Sequence, residues 1–237
     1  MPVTIVQRKE TLISSASNTW THTFDNSITA GNVVVLIAKL QTAIRTVGNP
    51  SGGGASFVSI QTIGGNATGS LKSWSSSEPN SSVTSYQITI GGGLTATGVV
   101  YGWELSGCDG STPTASGTGT QNTATTAPQM VDSALTVPSN GVMLGAISSQ
   151  IAASWGTLTD PTSFTRDYQS VVLPGQSVFF GSRTASGSTN GTATVATQRA
   201  VWGLAATWSE AAAAGGQPYA KRLGGVPHNG FRRRGMW

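Results

Sequence analysis

Two apolar runs dominate the pattern of hydrophobic and polar positions. Residues Asn32–Leu40 (Asn-Val-Val-Val-Leu-Ile-Ala-Lys-Leu) are almost unbroken β-branched and aliphatic sequence, entered through Thr29-Ala30-Gly31 and left through Gln41-Thr42. A run of about 4–8 apolar residues between turn signals suits a strand buried on both faces. A weaker copy, Gly141–Ser148, lies about a hundred residues later behind Pro138-Ser139-Asn140.

Shorter stretches alternate with period two, which places every second side chain on one face of a strand. Trp20, His22 and Phe24 alternate with Thr21, Thr23 and Asp25. Tyr86, Ile88 and Ile90 alternate with Gln87 and Thr89, and Val99, Tyr101, Trp103 and Leu105 with Val100, Gly102 and Glu104. The last two predict a hairpin, or at least neighbouring strands, across Gly91-Gly92-Gly93. Val3–Val6 and Phe57–Ile63 complete the first half. In the second half the pattern predicts strands over Ala134–Val137, Phe164–Val171, Ser177–Thr184 and Thr192–Ala196. It closes with Ala200–Trp208, where Ala200, Trp202, Leu204, Ala206 and Trp208 share a face.

Two stretches carry few large apolar residues. Gly64–Ser82 is Gly/Ser-rich and interrupted only by Leu71 and Trp74. Gly107–Gln129 is rich in Ser, Thr, Gly and Asn and predicts a surface loop crossing between the halves. The sum is an all-β fold: an antiparallel, jelly-roll-like β-sandwich of about ten strands over residues 1–214. It has two similar halves, about 1–107 and 130–214, with Trp103 and Trp202 buried in comparable strands. Two small stacked sandwiches are the alternative arrangement. Helix signals are nearly absent; residues 210–214 allow one turn before Gly215-Gly216.

Composition then shapes the surface. Charged residues are only 9% of the 237, against about 25% in ordinary soluble domains, while hydrophobic residues are 38%. Ser, Thr, Asn and the 31 glycines must therefore cover the outside. Such a surface repels copies of itself weakly, which permits dense assembly. The net charge of +4 belongs to the end of the chain: Lys221, Arg222, Arg232, Arg233 and Arg234 are basic, and residues 215–237 hold no acid. Removing those five from the thirteen basic residues leaves eight against nine acids, a nearly neutral body. The basic tail also carries Leu223, Val226, Phe231 and Trp237. Their spacing suits neither a helix stripe nor a strand face, which points to an extended subunit-anchoring segment. Nucleic-acid binding through phosphate neutralisation ranks lower, because the body offers no basic face to continue the track.

Candidate chemistry is sparse. There are two histidines and one cysteine, Cys108, so no disulfide framework forms within the chain. His22 reads as a half-buried strand residue, and His228 stands alone in the tail. No spacing of ligands suggests a metal, and no nucleophile is framed by a base, so the sequence predicts no catalytic, metal or cofactor site. Glu104 with Asp109, and Asp160 with Asp167, are close in sequence, but Glu104 reads as facing solvent or capping a loop and Asp109 as a turn residue before Gly110. Of the seven tryptophans, Trp74 and Trp155 fall in loop-like contexts, where an exposed ring would stack on a sugar. The opening residues do not read as a secretory leader, and no run approaches the about 18 apolar residues of a membrane span.

The segments Ile28–Val35, Val99–Asp109 and Ser133–Val137 together resemble jelly-roll modules of tailed-bacteriophage virion proteins. The ending Lys-Arg-Leu-Gly-Gly-Val-Pro … Arg-Gly-Met-Trp237 is also similar to endings of phage structural proteins. The resemblance implies a non-enzymatic virion component, a capsid decoration or another particle-surface protein. Its partners would be copies of itself and other virion proteins such as major capsid or tail proteins. The alternative is a carbohydrate-binding module or receptor-binding tail fibre or spike that recognises host surface glycans.

Overall fold

The computed structural model describes residues 1–41, 46–66, 69–91, 95–149, 158–170 and 177–212. Trp155 and residues 215–237 lie outside these. Among the described residues the chain is all-β. The first half contributes β1 (Thr4–Ser17), β2 (Thr19–Thr23), β3 (Val33–Leu40), β4 (Val58–Asn66), β5 (Gly69–Ser77), β6 (Ser85–Thr89) and β7 (Ala96–Ser106). The second contributes β8 (Ala115–Thr125), β9 (Leu135–Val137), β10 (Val142–Ser149), β11 (Leu158–Thr159) and β12 (Thr165–Ser170). It continues with β13 (Val178–Arg183), β14 (Gly187–Thr189), β15 (Thr194–Val195) and β16 (Arg199–Trp208).

Each half builds its own antiparallel five-stranded sheet, in the orders β1-β7-β3-β5-β4 and β8-β16-β10-β13-β12. Counted within its half, each order reads first, fifth, second, fourth, third. The two apolar runs, β3 and β10, are therefore the middle strands, buried at every position. Trp103 on β7 and Trp202 on β16 lie on corresponding strands, Trp103 beside Val35 near the start of β3 and Trp202 beside Ser148 near the end of β10, and both are buried.

The two large sheets pack face to face, and their alternation sorts the side chains into three cores. Val33, Val35 and Ile37 of β3 and Tyr101, Trp103 and Leu105 of β7 meet Leu144, Phe180, Trp202 and Leu204 across the seam. Val34, Leu36 and Ala38 point the other way, into a core closed by the β2–β6 pair with Trp20, Phe24, Tyr86 and Ile88. In the second half the outward core of Met143, Ile147 and Phe179 lies with Met130, Val137 and Val195, beside the β9–β14 and β11–β15 pairs. The two five-stranded sheets thus form the antiparallel β-sandwich of about ten strands that the sequence predicts, and each carries a further thin layer on its outer face. β1 meets β12 at one rim through Arg8 and Asp167, and β4 meets β8 at the other through Gln61 and Ser116. The first strand of each half therefore faces the third of the other, the reciprocity of a two-fold dimer within one chain.

Three expectations fail for physical reasons. β6 and β7 are not hairpin partners: β6 pairs with β2 in the outer layer, while β7 lies between β1 and β3. Much of the supposed crossing loop 107–129 is β8, an edge strand bonded to β16, so the second half begins before residue 130. Packing favours glycine at one of its positions, since a Cβ on Gly119 would lie 3.0 Å from the Gln129 carbonyl that crosses it. The Gly/Ser-rich stretch after Gly64 is the end of β4 and the inner strand β5, where Ser70, Ser73, Ser75 and Ser76 are all buried.

Candidate functional site

The carboxylates are structural fixtures. Glu104, expected at the surface or capping a loop, is fully buried and caps the turn into β3. Its Oε1 accepts from the Thr29 backbone N–H at 2.8 Å and from Asn32 Nδ2 at 2.6 Å, and its Oε2 accepts from Gln7 Nε2 at 2.7 Å. Gly31 makes that turn with φ +86°, a conformation that favours glycine. Glu78, also buried, accepts from the Tyr86 hydroxyl at 2.6 Å. Burial and this bond hold the Tyr86 phenol well above its ordinary range. Asp160 pairs with Arg166, so it does not converge with Asp167 on one reacting centre. Among the described residues no group of three His, Cys, Asp or Glu stands ready to hold a metal ion.

Two basic side chains each bury a nitrogen without a hydrogen-bond partner. His22 sets Nδ1 3.0 Å from the Thr11 hydroxyl and stands edge-on to Phe24, while its Nε2 has no partner. Burial first, and then the charge of Lys9, push its pKa down to about 3. Lys39 projects from β3 into the seam, where its Nζ lies 4.9 Å above the Trp202 ring with no hydrogen-bond acceptor. Burial pushes its amine down to about 7.

Trp74 is not an exposed stacking platform. It is completely buried on β5, its indole N–H donating to Asn49 Oδ1 at 3.2 Å, with Lys72 over its ring. Its inner-strand position places the ring under the β2–β6 layer, so it cannot receive a sugar. Trp155 and the tail residues Lys221, Arg222, Leu223, Val226, Phe231, Arg232, Arg233, Arg234 and Trp237 lie outside the described residues.

The two rims of the seam differ. At the first, Asp167 sits at a bulge of β12 with its side chain fully buried. It accepts from Trp103 Nε1 at 2.7 Å and Ser182 Oγ at 3.1 Å, and it pairs with Arg8. Tyr101 donates to its backbone carbonyl at 3.2 Å and stacks on Phe180. This rim is closed. At the second, small hydroxylated side chains replace the aromatic ones, and a cleft of about 240 Å³ opens between β4–β5 and residues 111–116. Gln61 Nε2 donates across it to Ser116 Oγ at 3.0 Å, and the Trp208 indole holds the facing loop through the Ser111 carbonyl. Sequence reading missed this cleft because its serines come from three separated segments and carry no motif. A more open groove beside β6, lined by Ser51, Gly52, Ser82 and Ser85, belongs to the first half alone.

Fold and site together define an all-β protein of two same-ordered sheets, with an open cleft at one rim of their seam. Comparison with protein-family models, with curated proteins and with solved structures found no match for this chain.

Proposed function

We propose that this chain is a non-enzymatic structural protein of a tailed-bacteriophage virion, a capsid decoration or other particle-surface component assembled through its C-terminal tail. The supporting observation is the placement of charge. Six of the nine acids are buried or ion-paired: Glu78, Glu104 and Asp167 in the interior, and Asp25, Asp160 and Glu210 in ion pairs. The surface left over is largely hydroxyl and amide, which allows copies to pack closely with little mutual repulsion. The five basic residues of 215–237 then supply a local attraction for an acidic neighbour, while the apolar residues among them supply a grip.

The test is to image particles with an antibody against this chain, and to compare full-length protein with a form lacking residues 215–237. Label on the particle surface, together with a tailless protein that melts normally but fails to join particles, supports the reading. Normal assembly of the tailless form sinks the role of the tail. Absence of the chain from purified particles sinks the virion assignment.

A further inference from the structure

We propose that the open rim of the seam is a binding site for one neutral sugar ring of a glycan. Its size suits a small ligand: at about 30 Å³ per liquid water, the cleft of about 240 Å³ has room for roughly eight waters or one ring of similar bulk. Its chemistry is uncharged, since no Lys, Arg, Asp or Glu lines it. Hydroxyls converge from both halves, Ser59 and Ser75 from the first, Thr112 and Ser116 from the second. Beside them lie the apolar surfaces of Ile60, Pro113 and Val58, the last 63% exposed. A pyranose has the complementary make-up, hydroxyls around its edge and C–H groups on its faces.

Ser75 is only 2% exposed yet still lines the cleft. A polar ligand exchanges the water on these hydroxyls for hydrogen bonds of its own, whereas a purely apolar ligand would strip that water and give nothing back. An anion would find no cation there. Because the hydroxyls come from both sheets, the site exists only when the halves are stacked. Affinity rests on a few neutral hydrogen bonds and one small apolar contact, which places Kd on the order of millimolar. Sugar binding here does not depend on assembly through the tail, and either can fail without the other.

The experiment is a ¹H–¹⁵N NMR titration of the full chain with methyl glucoside, methyl galactoside and N-acetylglucosamine, with glycerol as the control polyol. At least one sugar should shift the amides of Ser59, Ser75, Thr112 and Ser116 saturably, and glycerol should not. Ser75→Ala should weaken that binding by about three- to tenfold, the worth of one hydrogen bond. Thr112→Trp, at an exposed position that leaves the core untouched, should block it. No saturable shift with any sugar, equal shifts with glycerol, or shifts that survive Thr112→Trp would overturn the proposal.

Discussion

The indole N–H of Trp103, on the sheet of the first half, donates at 2.7 Å to the carboxylate of Asp167, on the edge of the second. With Arg8 and Ser182 on the same carboxylate, this contact closes one rim of the seam. Asp167→Ala should lower stability by about 2–3 kcal/mol, since hydrogen bonds to a charged group are the stronger kind and Trp103 is left without an acceptor. Asp167→Asn, which keeps one acceptor, should cost less. Equal urea midpoints for wild type and Asp167→Ala would show that the rim is held by packing alone.

Lys39 makes stability depend on pH. Its folded pKa of about 7 lies below the ordinary 10.5, so the unfolded chain binds more protons between those values and stability rises with pH. The slope approaches about 1.4 kcal/mol per pH unit where the two states differ by a full proton. Below about 7 both states are charged, and the penalty of the buried ammonium is felt in full. Lys39→Met should therefore stabilise the protein at neutral pH and flatten the rise towards pH 9. Above pH 9 the partly buried Cys108 thiol, pushed up to about 12, works in the opposite direction. Urea midpoints at intervals between pH 7 and 9 read the effect; a wild-type profile that is flat there would contradict it.

His22 adds a second loss at lower pH. With a folded pKa of about 3 against 6.5, it withdraws stability as pH falls through that interval. Its ring signals should stay those of neutral imidazole down to about pH 4 in the folded protein, measured by NMR.

Gly102 and Gly31 should respond differently to alanine. A Cβ on Gly102 would overlap the His22 ring and sit 2.7 Å from Phe24, so Gly102→Ala should cost about 2–3 kcal/mol as overpacking. Gly31 has open space around it and only its left-handed φ to lose, and Gly31→Ala should cost about 1 kcal/mol. Thermal melts of the pair would expose a wrong ranking.

Trp74→Ala should cost about 3–5 kcal/mol, as loss of a buried aromatic residue does. Sugar titrations on Trp74→Phe should match those of wild type. A loss of sugar binding in Trp74→Phe with the fold intact would restore the stacking role that burial rules out.

The parts legible in the sequence were those where large side chains mark the pattern. The unbroken apolar runs became β3 and β10, and the alternations around Trp103 and Trp202 became β7 and β16. β5 and β8 were not legible, because their neighbours leave room only for Ser and Gly at positions where an alternating strand would show Val or Ile. Gly119 under the Gln129 carbonyl is one such position. The same economy of side chain that hid those strands also hid the cleft. Glu104 shows the reverse case: alternation placed it opposite Trp103 correctly, but not the Gln7, Thr29 and Asn32 donors that make its burial tolerable.

The order of strands has a consequence for how the chain is made. All five strands of the first sheet lie within residues 4–106, so that sheet can close while the second half is still being translated. Its outward face finds β2 and β6 at once. Its other face, with Val35, Ile37, Tyr101 and Trp103, meets its covering strand β16 only when Trp208 has emerged. At about 5–20 residues per second, synthesis leaves that apolar face in water for roughly five to twenty seconds on every ribosome. Aggregation and chaperone capture should therefore concentrate on nascent chains of this intermediate length. Chains arrested just before residue 199 should bind a hydrophobic dye that chains arrested with β16 fully emerged do not.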